Sequence, residues 1–327
     1  MTSLKSKRVL VIAPRFFGYD QEIVAEVKRR DAEVWFVPDR PFRSAFMIAM
    51  AKVATTPILT VADSYYERAI RDLRGVAFDV VLVVNGQTLS PLTMRRFRSA
   101  FPNARFVLWA WDSVRNRPAI LRNRPFFDVC ASFDPDDAET YGLRFRPSFF
   151  SPGFEREAET HPTYDLSFIG TAHTDRYAVV RRVQSTLPKR AEAFWHLYLQ
   201  APWVFWYYRA TKPAFRDASR SDFRFAPLSR TEVESIFFKS RAILEIEHPE
   251  QRGLTMRTFE AIAANKKLIT TNPRIREYAF YHPSNVHVID RASPEIPEDF
   301  LAADFVPVGE EFYARYRISA WLDELLA

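Results

Sequence analysis

The sequence is poor in the residues that build several common functional sites. Its 327 residues include 8 glycines and a single cysteine, Cys130. The glycines do not fall in the spacings G-x-G-x-x-G or G-x-x-x-x-G-K-[ST], which hold nucleotide phosphates in many α/β proteins. One cysteine allows neither an internal disulfide nor a cysteine-based zinc site. The sequence therefore excludes the standard dinucleotide and P-loop sites and a disulfide-stabilised scaffold.

Two further absences concern metals and membranes. The six histidines form neither H-x-x-x-H nor H-E-x-x-H, so we expect no metal site and no metal cofactor. No uncharged apolar run reaches the roughly 18 residues that a membrane-spanning helix needs. Basic residues precede an apolar stretch at the N-terminus, but no small-residue cleavage site follows, so we expect no signal peptide and a cytoplasmic protein.

Positive charge is in excess and is unevenly placed along the chain. Residues 1–150 carry a net charge of +7, residues 174–230 carry another +7, and residues 231–327 carry −5. Local positive surfaces attract anions over several ångströms. The pattern indicates an anionic partner, either a phosphorylated ligand or the acidic inner face of the plasma membrane to which the protein would bind peripherally.

Apolar runs of strand length alternate with helical patterns in two successive stretches of chain. This alternation predicts parallel sheets with right-handed crossovers, hence two doubly wound α/β domains. A polar segment with proline and glycine, 151–163, reads as a linker between them. The predicted parts are an N-terminal domain over 1–152, a C-terminal domain over 163–312, and a last helix within 313–327. Ligands of such sheets bind beyond the carboxyl ends of the strands, so we expect the chemistry in a cleft between the domains.

The segment 247–272, EHPEQRGLTMRTFEAIAANKKLITTN, contains the most specific pattern. Gly253 lies between a predicted strand and a predicted helix, where free backbone N–H groups and the helix dipole favour a phosphate. Arg257, one turn into the helix, offers a bidentate contact to the same anion, and the carboxylate of Glu260 offers acceptors for ribose hydroxyls. The alternative is an ordinary amphipathic helix in which Arg257 and Glu260 form a surface ion pair.

A second candidate is GTAHTDR, residues 170–176, between a predicted strand and a predicted helix. The amides and hydroxyl of Gly170 and Thr171 suit a diphosphate, with His173 and Arg176 as further contacts. The alternative is a helix start capped by Thr174, which needs no ligand.

Four segments together carry a family resemblance: FFGYDQEI after the first strand, LWAWDS after a middle strand, DLSFIGTAHTDR at the start of the second domain, and 247–272. With them the chain resembles the bacterial polysaccharide-biosynthesis and CgeB-like (spore-coat) group of GT-B glycosyltransferases. The resemblance spans nearly the whole chain and is weakest at 40–75 and 188–228. It implies a GT-B fold, α/β with two Rossmann-like doubly wound domains facing a central cleft, and a last helix that crosses back to the first domain.

The resemblance also implies residue roles. The nucleotide-sugar donor lies against the second domain, which gives donor-binding roles to the following residues: Gly170, Thr171, His173, Arg176, Gln251, Gly253, Leu254, Thr255, Arg257 and Glu260. The acceptor lies against the first domain, near Phe17, Gly18 and Tyr19. GT-B enzymes stabilise the leaving diphosphate with helix dipoles and basic side chains instead of a metal.

Two carboxylates are candidates for the catalytic base, which must reach an acceptor hydroxyl. Asp20 begins the helix after the first strand, where inverting GT-B enzymes often carry their base, and Asp112 follows another strand end. Each is alternatively a helix-start or turn carboxylate. Many retaining GT-B enzymes carry a glutamate eight residues before the ribose-binding one, where this chain has Arg252. That departure favours inversion, although Gln251 or Glu250 could lie near the sugar.

The stretch 190–216, RAEAFWHLYLQAPWVFWYYRATKPAFR, combines aromatic and basic residues. It suits a membrane interface or, alternatively, a domain core filled with aromatic rings. Stacking on single-stranded nucleic acid is disfavoured because no recognised nucleic-acid module is present, so no nucleic-acid partner is expected.

These observations predict a metal-independent glycosyltransferase that moves a sugar from a nucleotide diphosphate to a glycan or lipid-linked acceptor in bacterial surface polysaccharide synthesis. Two alternatives remain: a nucleotide-sugar epimerase on the same fold, and a non-catalytic GT-B-like protein that binds glycan or nucleotide.

Overall fold

The computed structural model describes residues 3–40, 55–155 and 162–327. The chain divides into two compact units. The first comprises Met1–Ser148, Glu250–Gly253 and Ile318–Ala327, and the second comprises Phe149–Pro249 and Leu254–Arg317. Residues 156–161 of the predicted linker lie outside the described part of the chain.

The first unit contains a parallel six-stranded sheet in the order β2-β1-β3-β4-β5-β6. Its strands are β1 Arg8–Ala13, β2 Glu33–Pro38, β3 Val80–Val84, β4 Arg105–Ala110, β5 Val129–Ser132 and β6 Arg144–Phe145. Its α-helices are Tyr19–Lys28, Thr55–Asp72, Pro91–Ala100, Ala119–Asn123, Pro135–Tyr141 and Ile318–Leu326, with a 3₁₀ turn at Arg124–Phe126. All five residues of β3 (VVLVV) are buried, as expected of a central parallel strand covered on both faces.

The second unit contains another parallel six-stranded sheet, in the order β12-β11-β10-β7-β8-β9. Its strands are β7 Tyr164–Thr171, β8 Ala193–Tyr198, β9 Phe223–Arg224, β10 Ser240–Glu245, β11 Lys267–Thr270 and β12 Val286–Val288. Its α-helices are Arg176–Thr186, Pro202–Thr211, Arg230–Phe238, Met256–Ala263, Glu298–Ala302 and Glu310–Tyr316. Short 3₁₀ turns lie at Pro152–Phe154, Pro213–Phe215, Arg220–Asp222 and Pro273–Glu277.

The strand orders locate a switch point in each sheet. Successive connections run to opposite sides of β1 in the first sheet and of β7 in the second, so the order reverses between β1 and β3 and between β7 and β10. Loops at the carboxyl ends of such strand pairs diverge and leave a crevice. The predicted α/β class with two doubly wound sheets is confirmed, and these two loop pairs are where ligand contacts are to be sought.

The end of the chain consists of two helices, whereas the sequence pattern predicts one over 313–326. The break is at Arg317, which is extended (φ −58°, ψ 146°) and forms an isolated parallel bridge with Phe150. The last helix, Ile318–Leu326, belongs to the first unit, where the buried indole of Trp321 packs edge-on against Trp109 at 5.1 Å between ring centroids. Arg30 fixes the same helix by donating to the Asp323 carboxylate at 2.7 Å.

Among the described residues, no helix is both long enough and apolar enough to span a lipid bilayer.

Candidate functional site

The loop between β1 and the first helix makes a sharp turn. Phe17 (φ 49°) and Gly18 (φ 80°) both have left-handed backbone, which glycine adopts freely and phenylalanine only at a cost. The ring of Phe16 lies 5.7 Å from that of Trp111, and the ring of Tyr19 lies 6.0 Å from the same indole. Since Trp111 follows β4, the structure brings the predicted acceptor-side segment beside the loop that carries Asp112.

Asp20 lies in the first turn of the helix Tyr19–Lys28 and is 8% exposed. Burial raises the pKa of its carboxyl above the usual value, and hydrogen bonds to backbone groups and the charge of Arg15 act in the opposite direction. A raised pKa makes a carboxylate a better proton acceptor near neutral pH. The role of Asp20 as a general base stays a prediction.

Asp112, the other candidate base, is held by three donors from the first unit. Its Oδ2 accepts from Nδ2 of Asn85 at 3.1 Å and from Nε of Arg117 at 3.2 Å, and its Oδ1 accepts from Nε2 of Gln251 at 3.0 Å. These contacts use three of the roughly four lone-pair sites of the carboxylate. The geometry favours an orienting role for Asp112, and it places Gln251, predicted as a donor-binding residue, against this carboxylate.

Asp134, at the end of β5, fixes the segment 250–253. Its Oδ2 accepts from the backbone amides of Arg252 at 2.9 Å and Gly253 at 3.1 Å, while Oδ1 caps the helix Pro135–Tyr141. A Cβ on Gly253 would lie 2.7 Å from the carbonyl oxygen of Phe133, so only glycine fits. The sequence places Gly253 at a helix start with its amide free for phosphate. Instead, the helix begins at Met256 and the Gly253 amide is bonded to Asp134.

The sequence pattern did not indicate a further buried carboxylate in the first unit. Asp39, directly after β2, is fully buried and accepts from the amides of Gln87 at 3.1 Å and Thr88 at 3.3 Å. Desolvation raises its pKa to about 6, against the opposing charge of Arg40. Beside it, Nε of Arg40 and the amide oxygens of Asn85 and Gln87 are buried without a hydrogen-bond partner among the described residues.

These unpaired buried atoms are costly to desolvate, so they indicate a place where a polar ligand or water completes the hydrogen bonding. The available sequence signal for Asp39 was an acidic residue immediately after a predicted strand.

In the second unit, the GTAHTDR segment begins with the last two residues of β7, Gly170 and Thr171, and continues through the loop to the first residue of the next helix, Arg176. Gly170 lies close to the ring of Phe168, and a Cβ added to Gly170 would lie 2.7 Å from that ring. His173 Nε2 lies 3.2 Å from Nη1 of Arg176, and its ring lies 5.9 Å from that of His248. Thr174 does not cap the helix through its side chain; its hydroxyl donates to the carbonyl of His173 at 2.6 Å.

Arg176 is the first residue of its helix and is partly exposed. Its Nε donates to the carbonyl of Ile246 at 2.6 Å, and Nη1 to that of Thr171 at 3.4 Å. Desolvation lowers its pKa, while the carboxylates of Glu245 and Glu247 act in the opposite direction. The guanidinium thus ties the loops after β7 and β10 together across the switch point of the second sheet.

Two buried glutamates at the end of β10 were also missed by the sequence analysis, although E-I-E at a strand end was a visible signal. Glu245 accepts from the hydroxyls of Thr270 at 2.7 Å and Thr255 at 3.1 Å. Its pKa is raised to about 7, first by desolvation and then by the charge of Glu247. Glu247 in turn accepts from Nη2 of Arg291 at 2.6 Å.

The remaining predicted donor residues lie on and before the helix Met256–Ala263. Leu254 is buried in the core at 2% exposure. Glu260 is 1% exposed; it accepts from Nη1 of Arg257 at 3.0 Å and lies 3.7 Å from Nη2 of Arg230. The Arg257 guanidinium also lies over the ring of Phe237 at 5.1 Å.

The pairing of Arg257 with Glu260 is the alternative considered from the sequence, but Glu260 is buried and Arg257 is only partly exposed. Their contact with a nucleotide stays a prediction.

Among residues 3–40, 55–155 and 162–327, no group of three or more histidine, cysteine, aspartate or glutamate side chains is arranged to hold a metal ion. The absence of a metal requirement stays a prediction.

No protein-family model and no curated protein matches the chain. Several solved structures do match the chain. The chain is similar to HepE of Anabaena in complex with UDP-glucose, with a TM-score of 0.60 and 7% identity over 98% of both chains. For the same protein with UDP and glucose the TM-score is 0.58 at 10% identity and the same coverage.

A glycosyltransferase from Rickettsia africae gives a TM-score of 0.55 at 9% identity, over 98% of this chain and 97% of that one. At these identities the likeness shows the fold, which is that of GT-B glycosyltransferases. The GT-B fold predicted from the sequence is confirmed.

Proposed function

We propose that this protein is a glycosyltransferase that moves a sugar from a nucleotide-diphosphate sugar to a glycan or lipid-linked acceptor. The observation that carries the proposal is the GT-B fold, together with ionisable and polar clusters at the carboxyl end of each sheet. The similar structures of HepE hold UDP and UDP-glucose, which supports a uridine nucleotide as the first donor to test.

In this proposal, the loop after β7 and the start of the helix Arg176–Thr186 bind the donor diphosphate. Gly170 and Thr171 are the last two residues of β7 and lead into this loop. The dipole of the helix favours an anion, and the guanidinium of Arg176 adds a positive charge. Nε2 of His173 lies 3.2 Å from Nη1 of Arg176 and, because a guanidinium can only donate, accepts a hydrogen bond that orients it. Leaving-group charge on the diphosphate is then stabilised without reorganising the loop.

On the acceptor side, Asp20 acts as the general base. Its carboxylate takes the proton of an acceptor hydroxyl while that oxygen bonds to the anomeric carbon. The bond from the anomeric carbon to the diphosphate oxygen breaks, and its electron pair leaves with the nucleoside diphosphate. Displacement in one step inverts the anomeric configuration. General-base assistance is typically worth about 10² to 10⁴ in rate.

The finer parts of the proposal are membership of the CgeB-like group, a role in bacterial surface polysaccharide synthesis, inversion, and independence of metal ions. Arg252, where many retaining relatives carry glutamate, supports inversion. The basic side chains near the proposed diphosphate site support metal independence, which is tested by comparing turnover before and after treatment with a chelator.

The test begins with a thermal-shift screen of nucleotides and nucleotide sugars, because a ligand at 100 times its dissociation constant stabilises the fold by about 2.7 kcal/mol. Release of nucleoside diphosphate is then measured with candidate glycan and lipid-linked acceptors. Acceptor-dependent release supports the proposal. Conversion of the donor sugar in the absence of an acceptor identifies an epimerase. Nucleotide binding with no turnover in the presence of any tested acceptor identifies a binding protein.

Asp20→Asn and Asp112→Asn form a matched pair for the base. We expect Asp20→Asn to keep donor affinity and lose about 10² to 10⁴ in turnover, and Asp112→Asn to be milder because its oxygens already accept internal hydrogen bonds. The reverse order of effects assigns the base to Asp112.

A further inference from the structure

The aromatic segment 190–216 resolves into a strand and a helix, and the helix has two unlike faces. Pro202–Thr211 buries Val204 and Phe205, and the ring of Phe205 packs on that of Phe223 at 5.4 Å. That face belongs to the core of the second unit, as one of the two sequence interpretations predicts.

On the opposite face, three large aromatic side chains are exposed to solvent. Trp203, Trp206 and Tyr207 are 42%, 55% and 57% exposed. Their spacing of i, i+3 and i+4 puts them side by side on one helix surface. We call these three residues the aromatic stripe. Soluble proteins expose single apolar residues freely, but a contiguous group of this size marks an interaction surface.

The charges in the segment around the stripe are mostly positive. Between Pro202 and Arg220 stand four basic residues and one acidic residue, Asp217. The guanidinium of Arg209 lies 5.7 Å from the ring centroid of Trp206. Lys212 places its ammonium 3.7 Å from the ring centroid of Tyr208. Exposed apolar rings and cations therefore lie close together on this helix.

We propose that the aromatic stripe and its neighbouring cations dock this protein on an anionic lipid surface. Tryptophan and tyrosine settle at the level of lipid headgroups, because their rings are apolar and their N–H or O–H groups remain hydrated. Lysine and arginine extend along such rings and place their charge among the phosphates. This surface stands independently of the reaction proposed above.

Vesicle co-sedimentation tests the apolar part. The full chain is mixed with vesicles of phosphatidylcholine alone, or of phosphatidylcholine and phosphatidylglycerol in equal parts, at low salt. We expect binding to the anionic vesicles, and a loss of about tenfold or more for the double variant Trp203→Gln/Trp206→Gln, since the two exposed indoles supply most of the apolar area. Val306→Gln, at a residue 41% exposed outside the stripe, serves as the matched control and leaves binding unchanged.

Charge reversal tests the electrostatic part. Each cation near an anionic membrane contributes about fivefold in binding and is screened by salt. Arg209→Glu/Lys212→Glu should therefore weaken binding by roughly 25-fold or more at low salt and flatten its salt dependence. Lys189→Glu is the control, because Lys189 precedes the amino end of β8 while the helix Pro202–Thr211 follows its carboxyl end.

Three results would overturn the proposal: no binding of the unmodified chain to anionic vesicles at low salt, equal binding by the double tryptophan variant, or loss of binding in the Val306→Gln control to the same extent. A concentration-dependent dimer in sedimentation velocity that the tryptophan variant abolishes would assign the stripe to a second copy of this chain instead. Circular dichroism and thermal unfolding establish that each variant is folded.

Discussion

The buried carboxyl of Glu245 predicts an unusual dependence of stability on pH. Glu245 is 4% exposed at the end of β10, where desolvation and the neighbouring charge of Glu247 raise its pKa to about 7. In the unfolded chain the same group ionises near 4.5. The folded state therefore holds a proton that the unfolded state has already released between these two pH values.

The sign and size of the effect follow from that difference. Because the unfolded chain binds fewer protons between pH 4.5 and pH 7, the free energy of unfolding falls as pH rises, by about 1.4 kcal/mol per pH unit. Over the full window the loss is about 3 kcal/mol. The contribution of Glu245 is fully present below its unfolded pKa and is gone once pH exceeds the folded value.

Glu245→Gln removes this titration and keeps the shape of the side chain. The hydroxyls of Thr270 and Thr255, which donate to the carboxylate, can rotate to donate to the amide oxygen or accept from its nitrogen. Urea unfolding of both proteins at pH 5 and pH 8 isolates the effect, because other titrating groups cancel in the double difference. We expect the variant to gain about 2 to 3 kcal/mol relative to the unmodified chain on going from pH 5 to pH 8.

Glu277→Gln, at a side chain that is 55% exposed, is the control and should show no such gain. Parallel pH profiles for the unmodified chain and Glu245→Gln would refute the reasoning, since they would mean that Glu245 is ionised in the folded protein at pH 5.

Three further predictions use the same structure. Gly253→Ala places a Cβ 2.7 Å from a backbone carbonyl oxygen and should lower the free energy of urea unfolding by about 1 to 3 kcal/mol, whereas Gly309→Ala, which has open space, should stay within about 0.5 kcal/mol. Asp134→Ala leaves two amides and a helix cap without their acceptor and should cost about 1 to 3 kcal/mol in the same assay. Arg257→Ala and Glu260→Gln should each weaken nucleotide binding about tenfold or more in calorimetry; unchanged affinity in both folded variants would remove them from the donor site.

The pattern of the sequence was sufficient for the architecture. Continuous apolar runs such as VVLVV at Val80–Val84 are short and rich in β-branched residues, which is typical of a strand buried on both faces, and they alternate with helical stretches. Short or edge elements were missed: β6, β9 and β12 have two or three residues each, too few for a periodic signal. The break at Arg317 was missed because it depends on a bridge to Phe150, which is distant in sequence.

For the candidate site, too, the sequence indicates some features and only the tertiary structure shows the others. Residue types and their places after strands drew attention to Asp20, Asp112 and the segment after β7, because a strand end is visible in the sequence. The pairing of Asp112 with Gln251, and of Asp134 with the Gly253 amide, joins residues more than a hundred positions apart. No local pattern encodes such contacts.

The sequence by itself determined the two parallel sheets, the loops that carry polar groups, and the aromatic and basic composition of the segment 190–216. Only the tertiary structure decided which of those groups are buried. Burial depends on what packs against a side chain, and it is the largest cause of the raised pKa values of Asp39 and Glu245. The same packing placed Glu260 between two guanidinium groups. Packing of one face of Pro202–Thr211 likewise left the aromatic stripe on the other face in water, because a helix can turn only one side to the core.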